Sequence, residues 1–131
     1  EERTSWMYPV RSVDETGGMV AFGSDWSVST ANPLEQIEVA ITRLSIDDNS
    51  KAPFIPEERI SLALAIDAFT RNAAFLNKHE NETGSIEVGK LADMIVLDRN
   101  LFDIDPRDIS DVNVLLTLFG GMAVYGDPSS L

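Results

Sequence analysis

The period at which apolar residues recur changes once along this chain, and that change limits the folds open to it. Leu34, Ile37, Ile41 and Leu44, and later Leu62, Ile66, Phe69 and Ala73, fall at helical spacing. From Gly84 onward the pattern is different. Met94-Ile95-Val96-Leu97 is a short run of strand formers, and residues 114–119 and 122–125 read as two strands joined by the turn Gly120-Gly121. With an earlier apolar run at Met19-Val20-Ala21-Phe22, the order is strand, helix, helix, then several strands. That order predicts an α/β piece followed by a β piece, with the boundary near residues 79–83.

The local signals sharpen these elements. Residues 10–16 read as the end of a helix, broken by Gly17-Gly18 before the strand at Met19. Asn32-Pro33-Leu34-Glu35 places an N-cap asparagine, a proline at the first helical position and a glutamate at the third, predicting a helix over 33–46. Residues 47–58 carry the polar residues and prolines of a loop, and Ile60-Ser61 leads into a second helix fraying near Asn77. Phe69, Phe75 and the leucines of that helix read as core, and Arg71 and Asn72 as makers of helix-end hydrogen bonds. A lone strand cannot form a sheet, so the run at Met19 must pair with the C-terminal strands or with a neighbouring chain.

Composition excludes some partners. Ten Lys+Arg against 22 Asp+Glu leave a net charge of -12, which repels a nucleic-acid backbone and an anionic membrane surface alike. No stretch approaches the roughly 20 apolar residues of a membrane-spanning helix. The absence of cysteine excludes a disulfide framework and a thiolate metal site, favouring the cytoplasm while leaving the periplasm open. The opening EERTSWMYP has neither a basic region nor an apolar core of a targeting signal, and reads as the interior of a longer chain.

The run M-V-A-F-G-S-D-W, residues 19–26, ends its apolar stretch on a carboxylate, Asp25. Burying a charge is costly unless something pairs with it, so Asp25 is either a local backbone cap, as in an Asx turn, or faces a partner.

The most informative segment is G-S-I-E-V-G-K-L-A-D-M-I-V-L-D, residues 84–98. Gly84 and Gly89 permit turns, Val88-Gly89-Lys90 reverses the chain, and Asp93 can hydrogen-bond backbone at the entry to the Met94 strand. This run resembles the signature near the C-terminus of amidohydrolase-type metal-dependent hydrolases, where it builds a small β-sandwich beside a catalytic (β/α)8 barrel. F-G-S-D-W, 22–26, resembles the end of the eighth barrel strand, T-R-N-A-A, 70–74, the helix that follows it, and V-L-L-T-L-F-G-G-M-A-V-Y, 114–125, the closing hairpin. G-S-D-W with V-S-x-x-N-P-L, 28–34, is most similar to the family-3 amidohydrolases, a group that includes N-substituted formamide deformylases. Ser27 departs from the proline common there.

The resemblance implies an α/β fold: the last βα unit of a (β/α)8 TIM-type barrel over residues 1–82, and C-terminal strands of the accompanying β-sandwich over 83–131. It implies that Asp25, at the barrel mouth, touches the catalytic metal, takes a proton from the metal-bound water and hands it to the leaving nitrogen of an amide-type small molecule. A divalent metal lowers the pKa of its water to about 7, and a nearby carboxylate can shuttle the proton. Barrel active sites lie at that face. Trp26 would line the substrate pocket, and Gly23 and Ser24 would shape the turn. The implied metal is zinc, in the complete enzyme.

Against this stands a shortage of ligands. A catalytic zinc takes about three protein ligands, and the chain has a single histidine, His79, at the frayed end of a helix. The family's His-x-His pair, its bridging lysine or glutamate and its later histidines would lie upstream of Glu1. The expectation is therefore a C-terminal portion that holds no metal and is inactive alone; the alternative is a freestanding binding or assembly module. Asp103, Asp105, Asp108 and Asp111 lack the glycine and closing glutamate of a calcium loop and read as a solvated loop. Exposed strand edges predict self-association through residues 19–22 or 114–125.

Overall fold

A computed structural model describes residues 3–48 and 50–131. Residues 1–2, at the start of the expected barrel segment, and residue 49, inside the expected loop, lie outside the described residues. Among the described residues four α-helices, α1 (Val10–Glu15), α2 (Pro33–Thr42), α3 (Leu62–Phe69) and α4 (Arg71–Leu76), precede three strands, β1 (Met94–Leu97), β2 (Val114–Phe119) and β3 (Met122–Tyr125). The strands form one antiparallel sheet in the order β1-β2-β3. The fold is α/β, and no helix among the described residues is long and apolar enough to cross a membrane.

Helix α2 starts as its sequence demands. The Asn32 side chain accepts from the Leu34 amide at 3.0 Å, and its Nδ2 donates to Glu35 at 3.3 Å. The helix stops four residues short of the expected 46, because Arg43 turns left-handed (φ 60) and bonds through its carbonyl and its side chain to the backbone of a distant residue. The Phe54 amide donates to the Arg43 carbonyl at 2.8 Å, and Arg43 Nε donates to the Phe54 carbonyl at 2.9 Å.

The single helix expected over 62–77 is two. Thr70 adopts φ -119, ψ -89, and its hydroxyl donates to the Ile66 carbonyl at 2.7 Å, a side-chain bond that competes with the helix ladder. Behind this break lies Gly84 (φ +87), where a Cβ would stand 2.6 Å from Ala74 Cβ and 3.2 Å from the Thr70 carbonyl oxygen. Only glycine lets the 84–98 segment lie this close to the junction of α3 and α4. Phe75, expected in the core, points outward at 54% exposure.

In the sheet the short turn closes as read. Gly120 and Gly121 have φ 55 and 80, the left-handed pair that a two-residue hairpin needs. Asp93 accepts the Gly120 amide at 2.7 Å, tying the turn to the start of β1. Asp98 at the other end accepts both the amide (3.0 Å) and side chain (2.8 Å) of Asn113, which holds its carboxyl below the ordinary carboxylate value.

The core joins both parts of the chain. Leu34, Ile37, Ile60 and Ala65 pack with Leu101, Ile109 and Val112. Ile109, in the 3₁₀ turn Pro106–Asp111, is fully buried, and the buried Glu38 of α2 accepts the neighbouring Ser110 amide at 2.8 Å. That backbone donor is satisfied by a carboxylate held in the core, the condition on which a buried charge is tolerated. The acidic stretch 103–111 is local structure: Asp105 caps the 3₁₀ turn by accepting the Arg107 amide at 2.9 Å, and Asp103 accepts from Asn100 at 2.8 Å.

The apolar run at Met19 is not a β-strand. Residues 18–25 run without bend or turn, but no strand among the described residues lies beside them. Their inward bonds go to helices instead: the Phe22 amide donates to the Ala68 carbonyl at 2.9 Å, and Asn72 Nδ2 donates to the Val20 carbonyl at 2.8 Å. Asn72 thus anchors this segment rather than a helix end, while Arg71 faces Asp67 at 3.6 Å. Phe22 meets Phe69 edge to face, ring centroids 5.4 Å apart.

Candidate functional site

The straight segment ends in the turn that carries Asp25, and the turn is built by Asp25's neighbours. Ser24 Oγ accepts the Trp26 amide at 3.3 Å, and the Val28 amide donates to the Asp25 carbonyl at 2.8 Å. Asp25 sits at φ 50, a left-handed conformation that aspartate tolerates better than most residues. The Trp26–Ser27 peptide is cis.

Local capping, one of the two readings open for Asp25, is done by Ser24. The Asp25 carboxylate makes no hydrogen bond or ion pair among the described residues and is exposed to solvent. Its turn is held by Ser24 and by a helical side chain of α2.

Gln36 supplies much of that fixity. Its Nε2 lies 3.2 Å from the Ser24 carbonyl, 3.2 Å from the Thr30 carbonyl and 3.4 Å from Ser29 Oγ, so one amide group fastens both ends of the turn to α2. The sequence carries no signal for this role, since a glutamine between Leu34 and Ile37 reads as an ordinary solvent-facing helical position. Trp26, expected beside the substrate, stands beyond the carboxylate at 70% exposure.

Two apolar grooves flank the segment leading to Asp25. One, of about 390 Å³, is lined by Phe22, Val39, Phe54 and Phe69 with the Arg43 guanidinium; the other, of about 610 Å³, by Phe22, Leu34, Ile37, Ile66 and Leu97. Asp25 lines neither. His79 lies after α4 with Nδ1 3.3 Å from Glu82, both exposed. Among the described residues no group of three or more His, Cys, Asp or Glu side chains is placed to hold a metal ion.

Comparison with known proteins gives the setting of this turn. A family model described as "Amidohydrolase family" matches residues 1–125. Protein LONG AFTER FAR-RED 3 of Arabidopsis thaliana is 39% identical over 121 residues, covering 90% of this chain and 20% of its own length. N-substituted formamide deformylase of Arthrobacter pascens is 33% identical over 119 residues, 91% of this chain and 21% of the relative. The putative amidohydrolase YtcJ of Bacillus subtilis (strain 168) is 26% identical over 125 residues, 95% of this chain and 24% of its own. The chain thus spans about a fifth of the length of these relatives. The solved structure of an amidohydrolase from Thermotoga maritima MSB8 superposes with a TM-score of 0.69 over 92% of this chain and 26% of that one, a likeness of fold at 20% identity.

Proposed function

The chain belongs to the amidohydrolase family, and from that premise we propose that it forms the Asp25 side of a hydrolase active site that cleaves C–N bonds of small amide-type substrates. The observation that carries the reading is the free carboxylate of Asp25 at the end of a straight apolar segment, on a turn clamped by Ser24 and Gln36.

The chemistry is proton transfer. Water attacks the substrate carbonyl carbon and a C–O bond forms; Asp25 takes a proton from that water. As the C–N bond breaks, Asp25 returns the proton to the leaving nitrogen, giving a carboxylic acid and an amine. A carboxylate without an internal partner can serve both steps without first breaking a bond of the fold. Trp26, beside it and exposed, would offer an apolar wall to substrate.

In this reading residues 1–82 are the last βα unit of a (β/α)8 barrel, residues 18–25 its eighth strand, and residues 83–131 strands of a β-sandwich. The backbone groups of Met19, Ala21 and Gly23, which make no hydrogen bond among the described residues, and the two apolar grooves beside them support that architecture, since a barrel strand pairs with neighbouring strands. The described residues do not by themselves fit a catalytic metal, which takes about three protein ligands. Zinc would therefore need its ligands from outside them.

The test is a chimera in which this chain replaces the similar stretch of the Arthrobacter deformylase, with and without Asp25→Asn. The chimera should hydrolyse an N-substituted formamide, and the asparagine variant should lose about 10²- to 10⁴-fold in kcat, the range expected for a general acid-base. An Asp25→Asn chimera as active as its parent would sink the assignment. In the chain itself the same substitution should move unfolding stability by less than about 0.5 kcal/mol, because the carboxylate holds nothing in place.

A further inference from the structure

The Asp25 turn is fastened to the rest of the fold through one side chain. Among the described residues every other hydrogen bond of residues 24–30 closes within 24–32: Trp26 to Ser24, Val28 to Asp25, Ser29 to Ser24 and Asn32 to Thr30. Only Gln36 reaches the turn from a helix. Its Nε2 faces the Ser24 and Thr30 carbonyls and the Ser29 hydroxyl, while its Oε1 is buried and takes no bond among the described residues. Turning the amide over would set oxygen against two carbonyls that can only accept, so the orientation is fixed by its surroundings.

The base of this clamp is itself held. Asn32 caps α2 on one side of Gln36, and on the other the buried Glu38 accepts the Ser110 amide at 2.8 Å, tying the helix to the later part of the chain. What Gln36 holds is a strained backbone, since Asp25 sits at φ 50, a region that few residues other than glycine occupy. Released from Gln36, the turn has easier conformations open to it.

We propose that Gln36 is a positioning residue for the proton shuttle: its amide keeps the Asp25 carboxylate where the reacting atoms need it. The inference rests on the reading of Asp25 given under Proposed function. Proton transfer requires heavy atoms about 2.6–3.2 Å apart, and a misplacement of about 1 Å caused outside the reacting groups costs about 10²-fold. Gln36 bonds the carbonyls on either side of Asp25 and not its carboxylate, so it acts on the place of the carboxylate and not on its proton affinity.

The experiment uses the deformylase chimera carrying Gln36→Leu, Gln36→Glu or Asp25→Asn, with kcat and KM for an N-substituted formamide followed against pH. Ionised glutamate keeps the shape of glutamine and has no donor, which separates the bonds from the packing. Near neutral pH both Gln36 variants should lose about 10- to 100-fold in kcat with KM within about twofold, and Gln36→Leu should leave the acid limb of the kcat profile in place. Full kcat in both Gln36 variants beside a loss in Asp25→Asn overturns this inference and leaves the role of Asp25 standing. Full kcat in Asp25→Asn overturns both, and a loss that falls on KM overturns positioning. Should the chimera or a variant of it be inactive through misfolding, the whole chain decides. Trp6 and Trp26 are its two tryptophans, so in a Trp6→Phe background the fluorescence anisotropy of Trp26 should fall with Gln36→Leu and hold with Asp25→Asn. An anisotropy that ignores Gln36→Leu overturns the proposal.

Discussion

Gln36 Nε2 lies 3.2 Å from the carbonyl oxygen of Ser24, the residue just before Asp25, and the same amide reaches Thr30 on the far side of the turn. A single helical side chain therefore fixes both ends of the loop that carries the candidate proton shuttle. Gln36→Leu removes those donors and leaves the Ser24 and Thr30 carbonyls to solvent. The variant should lose about 1–2 kcal/mol of stability, and the Val28 amide should exchange faster with deuterium while the Ala40 amide, one turn along α2, does not.

Gly84→Ala tests the close approach behind the helix break. The residue sits at φ +87, and its new methyl would meet Ala74 Cβ at 2.6 Å and Arg71 Cα at 3.2 Å. Strain and overlap act together, so the urea midpoint should fall by the equivalent of about 2 kcal/mol or more. Gly89→Ala, with a comparable φ of +97 but open space around it, should cost less.

The acid limb of stability should carry the mark of Glu58. The Ser12 hydroxyl and amide both donate to its carboxylate, the amide at 3.0 Å, and hold its pKa below the ordinary 4.5. A carboxyl lowered on folding stabilises the protein above the unfolded pKa, and that contribution fades as pH falls through the folded value. Ser12→Ala should therefore lower the urea midpoint at about pH 7 and leave it closer to wild type at about pH 3.

Elemental analysis after exposure to zinc and exhaustive desalting should find well under one metal per chain. A carboxylate with no cluster of donors around it binds a divalent ion too weakly to survive dialysis. One tightly held zinc per chain would mean a site built within the chain from residues outside the Asp25 turn, and one per pair of chains a site shared between two copies.

Much of the secondary structure was legible because its causes are local. Asn32-Pro33-x-Glu35 carries its own cap, and the start of α2 follows. Gly120-Gly121 supplies the left-handed pair a two-residue turn requires, and β2 and β3 pair around it. Asp93, read as a backbone acceptor near β1, does accept one, although its donor is Gly120 across the sheet. Membership of the family was legible too, since G-S-D-W, the 84–98 run and the closing hairpin resemble that family's motifs residue by residue.

What the sequence alone determined about this protein is where α2 and α3 begin, where the hairpin turns and, by the resemblance of its motifs, which family it joins, because capping and turn chemistry are satisfied within a few residues and a motif is carried by the residues themselves. Only the tertiary structure decided where α2 stops, that Thr70 splits one helix into two, that residues 18–25 rest on helices rather than in a sheet, and that Gln36 clamps the Asp25 turn. Each of these depends on a donor meeting an acceptor, or a backbone meeting a backbone, across a separation that no local pattern encodes: Arg43 with Phe54, Gly84 with Thr70, Asn72 with Val20, Gln36 with Ser24. Such pairs are chosen by packing, and packing is settled by the whole chain at once.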